Sequence, residues 1–194
     1  MNSKNNWHDG IAKQIYQLKD TLSEKDYKKY KLNLLLCIAE RIAEFCPECG
    51  QCQIFQQDIS TLTQDVGYLV QADDNDRRKL HLKTIKGIID HLRKQHKLVT
   101  EGYYMGIGMI FGSAIGVALG ATLDSVGSGI PIGVGIGVGI GAALDAKAKK
   151  EGRVICPSDK ATSSLKKTKI GLIIGLGFLV AVGIVAFLLF NRSS

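Results

Sequence analysis

The feature that most constrains this chain is a pair of apolar segments that carry glycine at every fourth position. These glycines are Gly108, Gly112, Gly116 and Gly120 in the first segment, and Gly129, Gly133, Gly137 and Gly141 in the second. A displacement of 21 positions places Ile115-Gly116-Val117 on Ile136-Gly137-Val138, so the segments form an internal repeat. Residues four apart lie on one face of a helix, and a row of glycines lets a second helix approach closely in lipid. The pattern predicts a transmembrane helical hairpin, a glycine zipper, with these eight glycines at the helix contact.

Two other structures compete for these segments. Buried helices of a soluble domain are disfavoured, because each glycine costs about 1 kcal/mol in a water-facing helix. The stretch Ile132–Val138 alternates glycine with aliphatic residues, which taken alone indicates a strand. An open pair of strands would leave backbone groups unpaired in lipid, so helices are favoured. The hairpin is assigned to residues 101–148, with a turn at 124–129 and Pro131 in the first turn of the second helix, where proline is tolerated.

A third apolar segment, residues 170–190, contains no charge and is long enough to cross a hydrocarbon core of about 30 Å. Lysine and arginine precede the first span, follow the second and precede the third, whereas the turn between the first two has none. The N-terminus lacks the apolar core of a signal peptide. By the positive-inside rule we expect a multi-pass protein of the cell (inner) membrane with a cytoplasmic N-terminus and an outside C-terminus. A basic cytosolic linker is assigned to residues 149–169 and a short tail to 191–194.

The net charge of +7 is unevenly distributed. Residues 1–101 contain 16 basic and 14 acidic side chains, and residues 102–194 contain 9 and 4. The excess therefore lies near the inner membrane surface, where anionic lipid attracts each basic residue by about 1 kcal/mol. The bilayer accounts for this charge, and no nucleic-acid partner is expected.

Residues 1–100 are predicted to form a cytosolic helical domain. Apolar residues recur three or four positions apart in four successive segments, which is typical of an antiparallel bundle or coiled-coil hairpins; ordinary core packing explains the same residues. Ser23 followed by Asp26 marks the start of the second helix, which is expected to end at Cys46. The fourth helix is expected to run almost straight into the first membrane segment through Glu101-Gly102. The predicted fold class is all-α.

A cysteine loop, residues 46–52 (Cys46-Pro47-Glu48-Cys49-Gly50-Gln51-Cys52), contains the one motif with a chemical interpretation. Two cysteines separated by two residues form the loop that wraps a tetrahedral zinc ion, and the third cysteine follows at the same interval. The expected topology places the loop in the reducing cytosol, where disulfides are uncommon. Zinc is the predicted cofactor.

A fourth ligand follows from geometry. If the third and fourth helices form an antiparallel hairpin about a break near Asp74, Cys52 and His96 lie at equal distances from the break. In that hairpin His91 is expected to fall one to two turns short of the loop, and His81 near the far end. His96 also falls on the apolar face, where an imidazole without a partner is costly. The predicted zinc ligands are Cys46, Cys49, Cys52 and His96. Four protein ligands leave no open position, so the zinc is expected to be structural.

Other interpretations of these cysteines stay open. An iron–sulfur cluster would want a fourth cysteine, and Cys156 is expected to be too remote. Free thiols or a redox switch, with His96 as an ordinary core histidine, are another alternative. Cys156 is interpreted as an isolated thiol in the linker, with reversible acylation as its alternative function. The sequence contains no recognisable catalytic group, and glycines 133–141 lack the context of a dinucleotide fingerprint. The chain is therefore not expected to be an enzyme.

The segment around the glycine rows resembles a known group of proteins. Gln95–Leu98, Glu101–Tyr104, the two glycine arms and Asp145–Arg153 are together similar to a group of uncharacterised bacterial glycine-zipper proteins with a two-transmembrane hairpin. The similarity covers residues 95–153. It implies membrane location, a helical hairpin and self-association, and it brings no established activity.

Three functional hypotheses follow. The first is a self-associating membrane protein, an oligomeric pore or assembly controlled by the metal-stabilised cytosolic domain, in which Gly135 and Gly139 face a neighbouring copy. The second is a membrane-anchored adaptor or scaffold whose cytosolic bundle binds a partner protein. The third is a metal or redox sensor with a labile cysteine site.

Overall fold

The computed structural model describes residues 3–122 and 126–157 of the chain. The described residues form seven helices: α1 (Ser3–Thr21), α2 (Glu24–Lys29), α3 (Leu32–Phe45), α4 (Gly50–Ala72), α5 (Asn75–His96), α6 (Tyr103–Thr122) and α7 (Val126–Lys150). They contain no strand beyond an isolated bridge between Val99 and Val154, so the all-α prediction is confirmed for this part of the chain. The predicted third span at 170–190, the tail, residues 158–169 of the linker and Asp124 of the turn lie outside the described residues.

Helices α1, α3, α4 and α5 share one apolar core. Many of the residues at the predicted three- and four-residue spacings are buried: Ile11 and Ile15 of α1, Leu35, Ile38 and Ile42 of α3, Ile59, Val66 and Leu69 of α4, and Ile85 and Leu92 of α5. On α5 the spacing also predicted Ile89, which is only partly buried, whereas its neighbour Ile88 is fully buried. Each fully buried aliphatic side chain of this kind contributes about 1.5–3 kcal/mol of hydrophobic stabilisation. The core therefore follows directly from the helical periodicity.

The predicted second helix is two helices. Ser23 caps α2 as expected, since its hydroxyl accepts a hydrogen bond from the Asp26 N–H at 3.1 Å. The chain then breaks at Lys31, which has a left-handed φ of 54°. The break allows Tyr30, which is fully buried, to donate its hydroxyl to the Leu69 carbonyl at 3.0 Å. The end of α2 thus coincides with this hydrogen bond between distant residues, and the sequence contains no glycine or proline there that would have predicted it.

The predicted break between α4 and α5 is confirmed. Asp73 has a left-handed φ of 42°, and Asp74 caps α5 by accepting hydrogen bonds from the N–H groups of Asp76 and Arg77 at 2.9 and 3.1 Å. Asparagine and aspartate are favoured at such positions because their side-chain oxygens replace missing helical partners.

The expectation that α5 runs almost straight into the first membrane segment is wrong. Helix α5 ends at His96, and Lys97 follows with a φ of 58°. The Leu98 N–H bonds back to the Leu92 carbonyl at 3.1 Å, the closing pattern of a helix C-terminus. Gly102, with a φ of 78°, then redirects the chain into α6. Two left-handed residues therefore separate the bundle from the hairpin.

Helices α6 and α7 are long and apolar enough to cross a membrane. The two apolar stretches are Tyr103–Ala121 and Gly127–Lys150. In the most apolar part of each, only 17% and 22% of the residues are buried. Large apolar side chains on their outer faces are exposed, among them Ile110, Phe111 and Ile140. A core helix of a soluble domain would bury such residues, whereas lipid can cover them.

The glycine rows bring the backbones of α6 and α7 into contact. A Cβ added at Gly112 would fall within 3.0 Å of the Gly133 carbonyl oxygen, and one added at Gly108 would do the same against Gly137. At Gly135 and Gly139, on the other face of α7, an added Cβ would meet nothing within 4 Å. Glycine is therefore required on one face of each helix for this close approach.

The second arm starts earlier than expected. Helix α7 begins at Val126, so Pro131 lies inside the helix and not in its first turn. Because proline has no N–H, the carbonyl of Gly127, four residues earlier, receives no helical hydrogen bond from Pro131. A Cβ added at Gly127 would meet nothing within 4 Å, so this turn of the helix is open.

At the other end of α7, the Asp145 carboxylate accepts hydrogen bonds from the N–H groups of Tyr104 and Met105 at 3.1 and 3.0 Å. One arm thus caps the start of the other.

The described part of the expected linker is packed against the bundle. Ile155 is buried in the core of the bundle, and Val154 is buried together with Val99 and Ala148. Cys156 is not the isolated thiol that the sequence indicated, because its sulfur is bonded to that of Cys37 on α3.

Candidate metal centre

Four potential metal ligands converge where α4 begins and α5 ends. They are Cys49, Cys52, His91 and His96, whose ligand atoms all lie within 4.8 Å of one another. The Nε2 atom of His91 lies 3.4 Å from the Cys49 sulfur and 3.5 Å from the Cys52 sulfur, and the Nε2 atom of His96 lies 3.4 Å from the Cys52 sulfur. Since α4 and α5 are joined at their other ends by Asp73-Asp74, the two helices run antiparallel.

The cysteine loop positions its two sulfurs by ending one helix and starting the next. The N–H groups of Glu48 and Cys49 both bond to the Phe45 carbonyl at 3.1 Å, which turns the chain at the end of α3. Cys49 then takes the extended conformation of an N-cap, with a φ of −122°, and Cys52 lies in the first turn of α4. The Cys-x-x-Cys spacing thus places both sulfurs at the same helix end.

Aromatic contacts hold the two imidazoles. The ring of Phe45 stacks on that of His96 with centroids 4.0 Å apart, and Phe55 meets His91 edge to face at 5.3 Å. Side chains on a helix lean towards its N-terminus, so His96 reaches back towards His91, and their ring centroids are 5.2 Å apart. Both imidazoles are therefore directed to the same point.

Burial and hydrogen bonding shift the pKa values of three of these groups, Cys49, Cys52 and His91. Cys52 is completely buried, and this burial, with smaller contributions from the Cys49 and Cys46 thiols, raises the pKa of Cys52 to about 12. A backbone hydrogen bond from Cys52 lowers the pKa of Cys49, despite some opposing desolvation. Burial and then the charge of His96 lower the pKa of His91, which favours its neutral form. Neutral imidazole is the form that binds a metal, and a bound cation would favour the thiolate form of Cys52.

Three sulfur-to-nitrogen distances are compatible with a tetrahedral zinc ion. Zinc binds sulfur at about 2.3 Å and nitrogen at about 2.0–2.1 Å, so a sulfur and a nitrogen on one ion lie roughly 3.6 Å apart. The observed sulfur-to-nitrogen distances are 3.4 and 3.5 Å. Two sulfur and two nitrogen ligands form a common structural zinc set. These four residues can therefore hold a metal ion, and their chemistry is compatible with zinc.

Three of the four predicted ligands, Cys49, Cys52 and His96, belong to this set. The expectation that His91 falls one to two turns short is wrong. Five residues advance a helix by about 7.5 Å, yet the Nε2 atom of His91 lies 3.4 Å from the Cys49 sulfur and 3.5 Å from the Cys52 sulfur. Cys46 lies outside the compact set, although its thiol contributes to the raised pKa of Cys52.

His81 lies near the far end of α5, as predicted, and takes no part in the cluster. It is almost completely buried, and its Nε2–H donates to the Tyr30 carbonyl at 3.0 Å. His81 is more deeply buried than His91 and His96, and it lies at the other end of α5.

Comparisons with protein-family models, with curated proteins and with solved structures find no match for this chain.

Proposed function

We propose that this chain is a self-associating membrane protein whose cytosolic helical bundle is held in shape by one structural zinc ion. The observation that supports the proposal best is the convergence of two cysteines and two histidines at zinc-compatible distances, immediately before the apolar hairpin. The zinc ligands are Cys49, Cys52, His91 and His96. Four protein ligands leave no open position for a substrate, so the ion stabilises the fold.

The position of the zinc suggests what it stabilises. His96 is the last residue of α5, and α6 begins at Tyr103. An ion bound to His96 and Cys52 fixes the end of α5 against the start of α4, and so fixes the point from which the chain enters the hairpin. The metal-bound bundle therefore sets the position of the membrane segment.

Lipid is the proposed environment of α6 and α7. Their exposed faces carry large aliphatic and aromatic side chains, and the described parts of both helices contain no charged residue between Tyr103 and Leu144. Basic residues follow at Lys147, Lys149 and Lys150. By the positive-inside rule this arrangement favours a cytoplasmic bundle, with the base of the hairpin at an anionic membrane surface.

Self-association is proposed through the outer face of α7. The inward glycines are occupied by contact with the sister helix, whereas Gly135 and Gly139 lie on a face where added side chains would meet nothing within 4 Å. Small residues at such spacing are favoured where transmembrane helices pack. A second copy would bury this face.

Native mass spectrometry of the full-length protein in detergent, purified without chelator, tests both parts of the proposal. We expect an oligomer with one zinc per chain. His91→Asn should lose most of the zinc, whereas Cys46→Ser should keep it. Loss of zinc from Cys46→Ser with retention in His91→Asn would contradict the ligand set, and a metal-free monomer would overturn the whole proposal.

A membrane-anchored adaptor is the second candidate. The uncharged character of the described spans favours it, because a water-filled pore usually contains polar or ionisable groups. A zinc-bound monomer in detergent and in bilayer nanodiscs would favour the adaptor over self-assembly. Rapid loss of the metal to a mild chelator would instead favour a metal sensor.

A further inference from the structure

The segment that follows α7 is fastened to the bundle by a bond between two cysteines. Cys37 lies on α3 and Cys156 lies six residues after the end of α7, and their Cα atoms are 5.3 Å apart. This separation is typical of a disulfide. Both residues are half-buried, so a small oxidant or reductant can reach them. The pair is separate from the zinc ligands, since neither member belongs to that cluster.

Non-covalent contacts place the two cysteines together. Residues Val99 and Val154 form a parallel bridge, in which the Val99 N–H donates to the Arg153 carbonyl and the Ile155 N–H donates to the Val99 carbonyl, each at 2.9 Å. Ile155 is buried in the core of the bundle. The segment is thus positioned by its own packing, with the sulfur–sulfur bond as an addition.

Arg41 strengthens the same attachment from α3. Its guanidinium donates to the carbonyls of Gly152 and Val154 at 3.3 and 3.2 Å. Arg41 lies four residues after Cys37, so the two side chains occupy neighbouring positions on one helix face. This face of α3 therefore holds the chain where it leaves the hairpin, by hydrogen bonds and by one covalent bond.

We propose that Cys37 and Cys156 form a peroxide-sensitive dithiol that controls how firmly residues 151–157 are attached to the bundle. The proposal rests on the cytoplasmic orientation proposed above, because the reducing cytosol keeps thiols of this kind reduced at rest. Hydrogen peroxide oxidises one thiolate to a sulfenic acid and is reduced to water. The second thiol then displaces hydroxide from that sulfur, which forms the disulfide and a second water. Two equivalents of glutathione reverse the bond and leave oxidised glutathione.

The bond would act on the membrane hairpin. The chain connects the hairpin to the bundle through residues 97–102 on one side and through residues 151–157 on the other, and the bridge between Val99 and Val154 joins the two connections. When Cys37 and Cys156 are reduced, residues 151–157 are attached to the bundle by hydrogen bonds and by burial of Ile155. When the two cysteines form a disulfide, this attachment is also covalent, and the two ends of the hairpin are held together at the bundle.

Thiol trapping in cells tests the proposal. Cells that express the full-length protein are quenched with acid and alkylated before and after a brief hydrogen peroxide pulse, and peptide mass spectrometry then quantifies the Cys37–Cys156 link. We expect mostly alkylated thiols before the pulse, a several-fold rise in the linked peptide after it, and reversal during recovery. Cys37→Ser and Cys156→Ser should each abolish the link. A link already complete in unstressed cells, or one that peroxide does not raise, would overturn the proposal.

Two further readouts separate this proposal from the proposed orientation. A reporter fused to the N-terminus shows independently on which side of the membrane the bundle lies. If the bundle lies outside and the link is complete, both the proposed orientation and the redox proposal are wrong. If the bundle is cytoplasmic and the link is complete, only the redox proposal is wrong. In purified protein, oxidation should slow amide hydrogen exchange at Val99 and Ile155 by about tenfold or more. The Cys37→Ser variant should show no such change. Equal exchange in oxidised and reduced wild type would contradict the fastening role.

Discussion

His81 shows how burial and one hydrogen bond determine the behaviour of a single side chain. Its Nε2–H donates to the Tyr30 carbonyl, which leaves Nδ1 as the acceptor nitrogen. Among the described residues, Nδ1 has no hydrogen-bond partner. A proton added there would be buried without an acceptor, and desolvation accordingly lowers the pKa of His81 from its ordinary value of 6.5, against a smaller opposing effect of the Tyr30 hydrogen bond and of Asp65.

This depressed pKa predicts a loss of stability in mild acid. Above pH 6.5 the histidine is neutral in both states and its contribution is complete. As the pH falls below 6.5, the unfolded chain takes up a proton that the folded protein refuses, so the free energy of unfolding falls until the pH passes the folded pKa. We expect His81→Gln to be less stable than wild type by about 1–3 kcal/mol at pH 8, with the difference narrowing towards pH 5.

Denaturant unfolding of both proteins at each pH, with excess zinc present, measures that difference. The zinc ligands titrate in wild type and variant alike, so their effect cancels in the comparison. A difference that stays constant from pH 8 to pH 5 would show that His81 does not titrate differently in the two states.

The helices could be predicted from the sequence more fully than the points where they end. Apolar spacing identified the buried faces of α1, α3, α4 and α5, because burial is a property of residue type and period. The breaks at Lys31 and Lys97 could not be predicted, since both residues are lysines with a positive φ. Lysine has no preference for that conformation, and tertiary contacts on either side impose it. The start of α7 at Val126 was also not predicted, because the small residues Gly127 and Ser128 that follow it are typical of a turn.

The candidate site was predictable to a similar extent. The cysteine spacing indicates a metal loop by local chemistry alone, so Cys49 and Cys52 could be found. His91 could not, because its contacts with the Cys49 and Cys52 sulfurs depend on how α4 and α5 pack, which residue spacing along one helix does not determine. The Cys37–Cys156 pair was also missed, since 119 residues separate the two and no local pattern links them.

Two glycines on α7 provide a matched test of helix packing. Gly133 faces α6, where an added Cβ would fall within 3.0 Å of the Gly112 oxygen and of the Gly116 backbone, whereas one at Gly135 would meet nothing within 4 Å. We expect Gly133→Ala to destabilise the hairpin by about 1–3 kcal/mol through overpacking. Gly135→Ala should be neutral or stabilising within the chain, because alanine favours helix. Thermal unfolding of both variants in the same detergent measures the difference.

The same pair distinguishes packing within one chain from packing between copies. If Gly135 faces a second copy, Gly135→Ala should weaken the oligomer without lowering the unfolding temperature of the hairpin. Equal unfolding temperatures for the Gly133 and Gly135 variants would contradict the close contact between α6 and α7.

At the scale of the whole molecule, the two connections between bundle and hairpin are held by different chemistry. On the entry side, the cluster of Cys49, Cys52, His91 and His96 lies directly before residues 97–102. On the exit side, Cys37 and Arg41 of α3 hold residues 151–157. Under the two proposals above, the entry side responds to metal supply and the exit side to oxidants. Metal removal is then expected to act first on the entry side, although the bridge between Val99 and Val154 joins the two connections.

Removal of the metal should consequently loosen one side and spare the other. At a free zinc concentration 1,000 times the dissociation constant, binding contributes about 4 kcal/mol to stability, which a strong chelator would remove. We expect a lower unfolding temperature and faster amide exchange in the cysteine loop, in the last turns of α5 and in residues 97–102. The shared core of α1 and α3 and the bond at Cys37 do not involve the metal, so exchange there should change little. His91→Asn, which cannot complete the zinc set, should already resemble the chelated wild type and show no further response. Uniform loosening of the whole bundle would mean that the zinc supports the entire core, and an unchanged exchange pattern would mean that the four ligands meet without an ion.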